Sequence, residues 1–242
     1  RYFVHSIDGM VAMSRSVLAD ADLFDPKQRK QRAFCPHPLY DHYSQPLDKT
    51  QACKLLGIEP AGRYALFFGF IRDYKGLDLL LDAMADHRLE DMKVRLVVAG
   101  EFYGDPKPYH DRIANLDIGN RVALHTDFIP DHEVNRYFCA ADIVAQPYKS
   151  ATQSGVTQIA FHFEKPMLVT NVGGLPEIVP DGEVGFVVEP DAQQIADALV
   201  RYYTEGWQQR LTDGVRNEKK KYTWDNMTRT IANLPTTNTT DK

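Results

Sequence analysis

Two hydrophobic periods alternate along most of the chain. Residues 64–70, Tyr-Ala-Leu-Phe-Phe-Gly-Phe, form a short aromatic run between turn residues, as a buried strand does. Leu77, Leu80, Leu81 and Met84 then recur at helical spacing, which places a strand-to-helix turn at 69–76. Further strands are predicted at 94–99, closed by Gly100, and at 121–125, 142–146, 167–170 and 185–188. Helices are predicted at 107–116, at 131–140 with Asp131 as cap, at 155–163 and at 192–203, and Gly173-Gly174 reads as a turn. Val134, Tyr137, Phe138 and Ala141 share one face of their helix. Strands alternating with helices over short connections imply parallel strands joined by right-handed crossovers, a doubly wound α/β sheet.

Residues 1–45 do not continue this pattern. A helix at 11–22 and a strand at 34–40 leading into a linker are expected there, and a chain opening on Arg1 in mid-pattern reads as a piece of a longer protein. Residues 236–242 are polar and aperiodic, and disorder is expected.

The turn at 69–76 carries the candidate chemistry. An apolar strand ends in Gly69, two cations follow at Arg72 and Lys75, and a helix begins. Helix N-termini present unpaired N–H groups and the positive end of the dipole, so a diphosphate there would meet backbone donors and both side chains. The competing reading is that Arg72 and Lys75 are solvated surface charges.

Composition narrows the options. A formal net charge of −5 over 242 residues argues against general nucleic-acid binding, so an anion must be held by local cations. Cys35, Cys53 and Cys139 are odd in number and widely spaced, which suits a reducing compartment and makes the cytoplasm the default location. No apolar run approaches the ~20 residues that span a bilayer, so membrane contact is expected to be peripheral. None of the eight histidines lies in a metal-binding spacing, and no metal is expected. His37, His42 and His125 are read as structural. Glu177 remains open between a helix-terminal charge and a ligand contact.

Several ordered pieces then resemble the carboxyl-terminal, donor-binding half of family 4 (group 1) retaining glycosyltransferases, which face two Rossmann-like domains across a cleft in the GT-B architecture. Phe-Phe-Gly-Phe-Ile-Arg-Asp-Tyr-Lys-Gly at 67–76 is similar to the family's glycine, arginine and lysine-glycine segment, and Leu-Val-Val-Ala-Gly at 96–100 to its second strand. Phe128-Ile-Pro with Glu133, Tyr137, Ala140, Ala141 and Asp142 resembles the next helix and strand. Lys-Pro-Met-Leu-Val-Thr-Asn-Val-Gly-Gly-Leu-Pro-Glu-Ile-Val at 165–179 and Asp-Gly-Glu-Val-Gly-Phe-Val-Val at 181–188 resemble the last two strands and their glycine turn. Tyr-Thr-Trp-Asp-Asn-Met at 222–227 resembles the helix that returns to the first domain.

The resemblance implies an incomplete acceptor domain at 1–45, a linker at 46–61, a donor-binding domain at 62–221, a returning helix at 222–234 and a tail at 235–242. It implies sugar transfer from a UDP- or GDP-linked donor to a sugar, lipid-linked or polysaccharide acceptor, with retention of configuration. Neither metal nor cofactor is expected, since the nucleotide sugar is a co-substrate. Arg72 and Lys75 would stabilise the departing diphosphate. Donor contacts are expected from Gly69, Arg72, Lys75, Gln153, Ser154, Gly155, Val156 and Gln158.

One departure stands out. Many members carry two glutamates separated by seven residues after the strand at 142–146, whereas this chain reads Ser-Ala-Thr-Gln-Ser-Gly-Val-Thr-Gln-Ile-Ala at 150–160. Gln153, Ser154 and Gln158 could serve hydroxyls, and the N–H groups at 154–156 could hold phosphate, or these are ordinary polar residues at a helix start. The missing pair leaves a second reading open, a degenerate subunit that holds nucleotide without transferring sugar. On either reading this chain alone is expected to bind UDP or GDP and to turn over poorly without the acceptor half. A dehydrogenase is disfavoured, because no Gly-x-Gly-x-x-Gly follows the first strand.

Overall fold

The computed structural model describes residue 4 and residues 6–40 and 42–234; the expected tail and the start at Arg1 lie outside the described residues. Its centre is a six-stranded, all-parallel sheet built from β3 (Arg63–Phe68), β4 (Val94–Ala99), β5 (Val122–His125), β6 (Ile143–Gln146), β7 (Met167–Thr170) and β8 (Gly185–Val188). The order is β5-β4-β3-β6-β7-β8, so the chain steps outward from β3, returns to its other side at β6 and continues outward. That order opens a crevice at the carboxyl ends of β3 and β6, where ligands of doubly wound sheets bind. The expected doubly wound α/β fold is the one found.

Both sheet faces are dry, which explains the near-continuous apolar runs. Tyr64, Leu66, Val97, Val144 and Met167 face one helical layer, and Ala65, Phe67, Leu96, Ala145 and Leu168 face the other. The first layer includes α2 (Lys49–Leu55), α6 (Val134–Ala140) and α7 (Gly155–His162). The second includes α3 (Leu77–Met84), α4 (His87–Asp91), α9 (Ala192–Thr204) and part of α10 (Trp207–Glu218). α5 (Lys107–Asn115), the short α8 (Leu175–Ile178) and α11 (Trp224–Ala232) complete this part of the chain. Among the described residues no helix is long and apolar enough to cross a membrane.

Residues before the sheet form a separate two-stranded parallel pair, β1 (Gly9–Ala12) and β2 (Gln31–Phe34), joined by α1 (Arg15–Phe24). This corrects the expectation of a helix at 11–22 and a strand at 34–40. Ser14 accepts from the Val17 N–H at 3.2 Å and sets the helix start, leaving Val11 and Ala12 in a strand. Pro36 and Pro38 have no N–H to give, so β2 ends at Phe34. Within the stretch expected as linker, Asp48 caps α2 through the Gln51 N–H at 2.9 Å, and Ala52 and Cys53 are fully buried.

Other differences are local. β3 stops at Phe68 because Gly69 turns to φ +91°, and Phe70 is exposed. Asp131 does not cap a helix with its side chain: a single 3-10 turn, Asp131–Glu133, precedes α6.

Two features hold the carboxyl edge in place. Gly76 sits at φ +68°, and a Cβ there would lie 1.9 Å from the Pro147 carbonyl oxygen, so the turn after β3 rests on the turn after β6. Asp142, just before β6, accepts from Lys49 Nζ at 2.6 Å and from the Tyr64 N–H at 2.8 Å, while its carbonyl accepts from the Tyr202 hydroxyl at 2.8 Å. One residue thus joins α2, β3 and α9.

Gly182 has a similar φ of +70° but open space where its Cβ would be. Gly182→Ala is therefore expected to cost only about 1 kcal/mol of left-handed strain, and Gly76→Ala on the order of 2–4 kcal/mol, read from urea unfolding. Equal costs would show that the Pro147 contact does not matter. Asp142→Ala removes the carboxylate from the part-buried Lys49 ammonium, which keeps the Gly62 carbonyl at 2.8 Å, and leaves the Tyr64 N–H without its acceptor; unfolding should register a loss of about 2–3 kcal/mol.

Candidate functional site

The turn after β3 and the start of α7 face one another across a cavity of about 450 Å³. It is lined by Gly69, Lys75, Gln153, Ser154, Gly155 and Val156, together with Phe68, Phe70, Ile159 and four tyrosines, Tyr40, Tyr43, Tyr74 and Tyr148. Six of the eight expected donor-site residues therefore meet in one space. Lys75 arrives through the 3-10 turn Asp73–Lys75, whose end at Gly76 starts α3. A Cβ on Gly69 would stand 3.2 Å from Lys75 Nζ, so the missing side chain lets the ammonium lie against the backbone. Its other neighbour is the Tyr148 ring, 5.8 Å away.

No carboxylate neutralises this ammonium among the described residues. Burial and the like charge of Arg72 together push the Lys75 pKa down to about 8. Nearby Lys149 is treated differently, paired with Asp73 at 2.8 Å and Asp78 at 2.9 Å. A desolvated cation without a counter-ion is poised to take an anion that the described residues do not supply.

Opposite Lys75, α7 starts at Gly155. Ser154 is its cap, accepting from the Val156 N–H at 3.2 Å and sharing a hydrogen bond with the Tyr148 hydroxyl at 3.1 Å. The positive end of this helix and the Lys75 ammonium thus converge on one volume.

Arg72 and Gln158 do not line that cavity. The Arg72 guanidinium stacks 4.0 Å from the centroid of the Tyr103 ring, in an adjoining hollow of about 370 Å³ that also includes Ile71, Tyr109 and Arg112. Gln158 faces inward from α7; it is 1 % exposed, and neither amide atom has a hydrogen-bond partner. Glu177 has a structural occupation: its carboxylate accepts from the Arg15 N–H at 2.7 Å and the Ser16 N–H at 3.1 Å, capping α1 from a distant part of the chain. His125 packs edge-on against Tyr137, with ring centroids 5.3 Å apart, and burial lowers its pKa.

The aromatic walls were not foreseen. Phe70, Tyr74 and Tyr148 lie within or beside the predicted turns, so their place was implicit in the loop positions. Tyr40 and Tyr43 come from the segment before α2 and reach the cavity because the Leu39 N–H donates to the Tyr222 carbonyl at 3.0 Å. No periodicity announces such a contact. A second, mostly apolar hollow of about 140 Å³ adjoins the first, sharing Phe68, Gly69 and Phe70 and adding Gly100, Glu101, Phe128 and Ile129.

Known proteins resemble this chain in both sequence and fold. The D-inositol 3-phosphate glycosyltransferase of Corynebacterium aurimucosum is 33% identical over 167 residues, which is 66% of this chain and 39% of that protein. The chain thus spans about two fifths of the length of the curated relatives it matches. Among solved structures, sucrose-phosphate synthase from Thermosynechococcus elongatus superposes with a TM-score of 0.78 at 22% identity, over 93% of this chain and 56% of that one. Anabaena HepE, solved in complex with UDP, gives 0.78 at 18% identity over 93% and 62%. At such identities these likenesses show the fold. Residues 62–205 match the family described as glycosyl transferases group 1, more than half of the chain, and the protein belongs to that family.

Proposed function

We propose that this chain holds the nucleoside diphosphate of a UDP- or GDP-linked sugar, and that the complete protein transfers the sugar, with retention, to an acceptor in glycan or polysaccharide biosynthesis. The observation that carries the reading is Lys75, desolvated and without a carboxylate among the described residues, facing the start of α7 across one cavity. Breaking the bond between sugar and diphosphate puts growing negative charge on the diphosphate. A fixed ammonium and a helix N-terminus aimed at that charge lower the barrier without having to reorganise. The adjoining hollow, with Phe70 and Phe128 exposed at its rim, offers flat apolar surface for a nucleobase.

Arg72 enters this account through its field. Stacked on Tyr103, it raises the cost of the Lys75 charge and so strengthens the demand for an anion. The family relatives named as D-inositol 3-phosphate glycosyltransferases, and the UDP bound in HepE, are consistent with a nucleotide-linked donor.

A second reading, a subunit that holds nucleotide but transfers nothing, is favoured by one feature. Gln153 and Gln158 occupy the stretch where many members carry glutamates, and Gln158 is turned into the core. Incubating the full-length protein with nucleotide sugars and assaying released diphosphate separates the two: release supports transfer, and tight binding without release supports the subunit.

Lys75→Met has opposite expected effects on binding and stability. Affinity for UDP or GDP, measured by calorimetry, should fall on the order of 100-fold. Stability at pH 7 should rise, because a folded-state pKa below the unfolded value of 10.5 means the charged form is penalised on folding. That penalty is fully present below pH 8 and disappears as the pH rises from about 8 to 10.5. The gain at neutral pH is expected at about 3 kcal/mol, the mark of a residue kept for binding. A variant that binds normally, or is destabilised, would contradict the proposal.

A further inference from the structure

The cavity around Lys75 has one wall that the sheet domain does not build. Tyr40, from the segment between β2 and α2, lies against the first residue of α7. Its hydroxyl oxygen is 3.2 Å, and its ring edge 3.7 Å, from the point a Cβ on Gly155 would occupy. The hydroxyl of Tyr148 in the same cavity is engaged by Ser154, whereas that of Tyr40 makes no hydrogen bond among the described residues. A hydroxyl at a helix N-terminus, on the wall of a cavity that also contains an ammonium with no carboxylate among the described residues, is a third donor converging on the same volume.

The position of Tyr40 is held from behind. The preceding residue is clamped on both sides of its peptide by the returning C-terminal segment: the Leu39 N–H donates to the Tyr222 carbonyl at 3.0 Å, and the Trp224 indole N–H donates to the Leu39 carbonyl at 3.2 Å. The ring itself packs against His37, with centroids 5.0 Å apart, and against Tyr43 at 6.1 Å. A tyrosine fixed this way loses little freedom when its hydroxyl binds a ligand.

Resting on the nucleoside-diphosphate reading above, we infer that Tyr40 is a donor-contact residue, its hydroxyl donating to a phosphate oxygen held between Lys75 and the start of α7. Trp224 is then a positioning residue that acts through Leu39. The site is shared: the sheet domain supplies the cation and the helix, and the crossing segment supplies the hydroxyl. Gly155 is part of the same arrangement, since a methyl there would push the Tyr40 ring away by a few tenths of an ångström.

Tyr40→Phe keeps the ring and removes only the hydroxyl. Calorimetric titration of the purified chain with UDP and GDP, with uridine followed by ligand-observed NMR, is the test. Tyr40→Phe should weaken the diphosphate about tenfold, the size of one charge-assisted hydrogen bond, and leave uridine unchanged. Trp224→Phe should weaken the diphosphate severalfold alone and add nothing in the Tyr40→Phe background. Diphosphate binding by Tyr40→Phe within twofold of the wild type, while Lys75→Met loses it, would overturn this inference and leave the function standing. An equal loss for uridine would also overturn it, as the sign of a general packing defect. A wild-type chain that binds neither UDP nor GDP would overturn both.

Discussion

A positive charge held mostly out of water without a counter-ion is the constraint around which this structure is arranged. The fall in the Lys75 pKa to about 8 corresponds to a cost on the order of 2–3 kcal/mol for the charged form. That is a large share of the 5–15 kcal/mol typical of a folded domain. The turn that presents the ammonium is over-determined in its backbone. Gly76 rests on the Pro147 carbonyl, Gly69 leaves room for Nζ, and α3 begins at once with the fully buried Leu77. Moving the backbone of this turn would disturb packing on both sides of the sheet's switch point.

The surrounding charges show that this arrangement is selective. Lys149 is neutralised by two aspartates, whereas Arg72 has no carboxylate partner among the described residues and stacks on Tyr103. Two cations are thus left with unsatisfied fields on the same turn, one in the cavity and one beside it. The start of α7 adds its dipole from the opposite wall. An anion entering this volume replaces repulsion with attraction at several points together, which is how a chain with a net charge of −5 can still hold one.

The sheet was legible in the sequence because both of its faces are buried: runs such as Val94–Ala99 and Met167–Thr170 read as interior strands, and Gly69 and Gly100 mark the turns after β3 and β4. The Lys75 turn was legible for the same reason, lying where a continuous apolar run gives way to helical spacing. Arg72 was placed with Lys75 by proximity in sequence, but three residues in extended and 3-10 geometry direct the two side chains to different hollows. Gln158 lies on a turn of α7 that faces the core, whereas Gln153 precedes the helix and is only half-buried, a difference that residue type alone does not reveal. Tyr40 and Glu177 were illegible because their partners, Gly155 and the start of α1, are brought to them by tertiary contacts with no local pattern. β1 was hidden by its small and mixed residues, Gly-Met-Val-Ala, and α2 by its short length.

The anion site turns on the protonation of one side chain, and the most direct measurement is the NMR titration of the Lys75 ε-methylene, with and without UDP. A free midpoint near pH 8 that moves upward when UDP binds is the expected result, since a diphosphate against the ammonium favours its charged form. A midpoint near the ordinary 10.5, unmoved by UDP, would mean that Lys75 is a solvated surface charge and that the anion site is elsewhere.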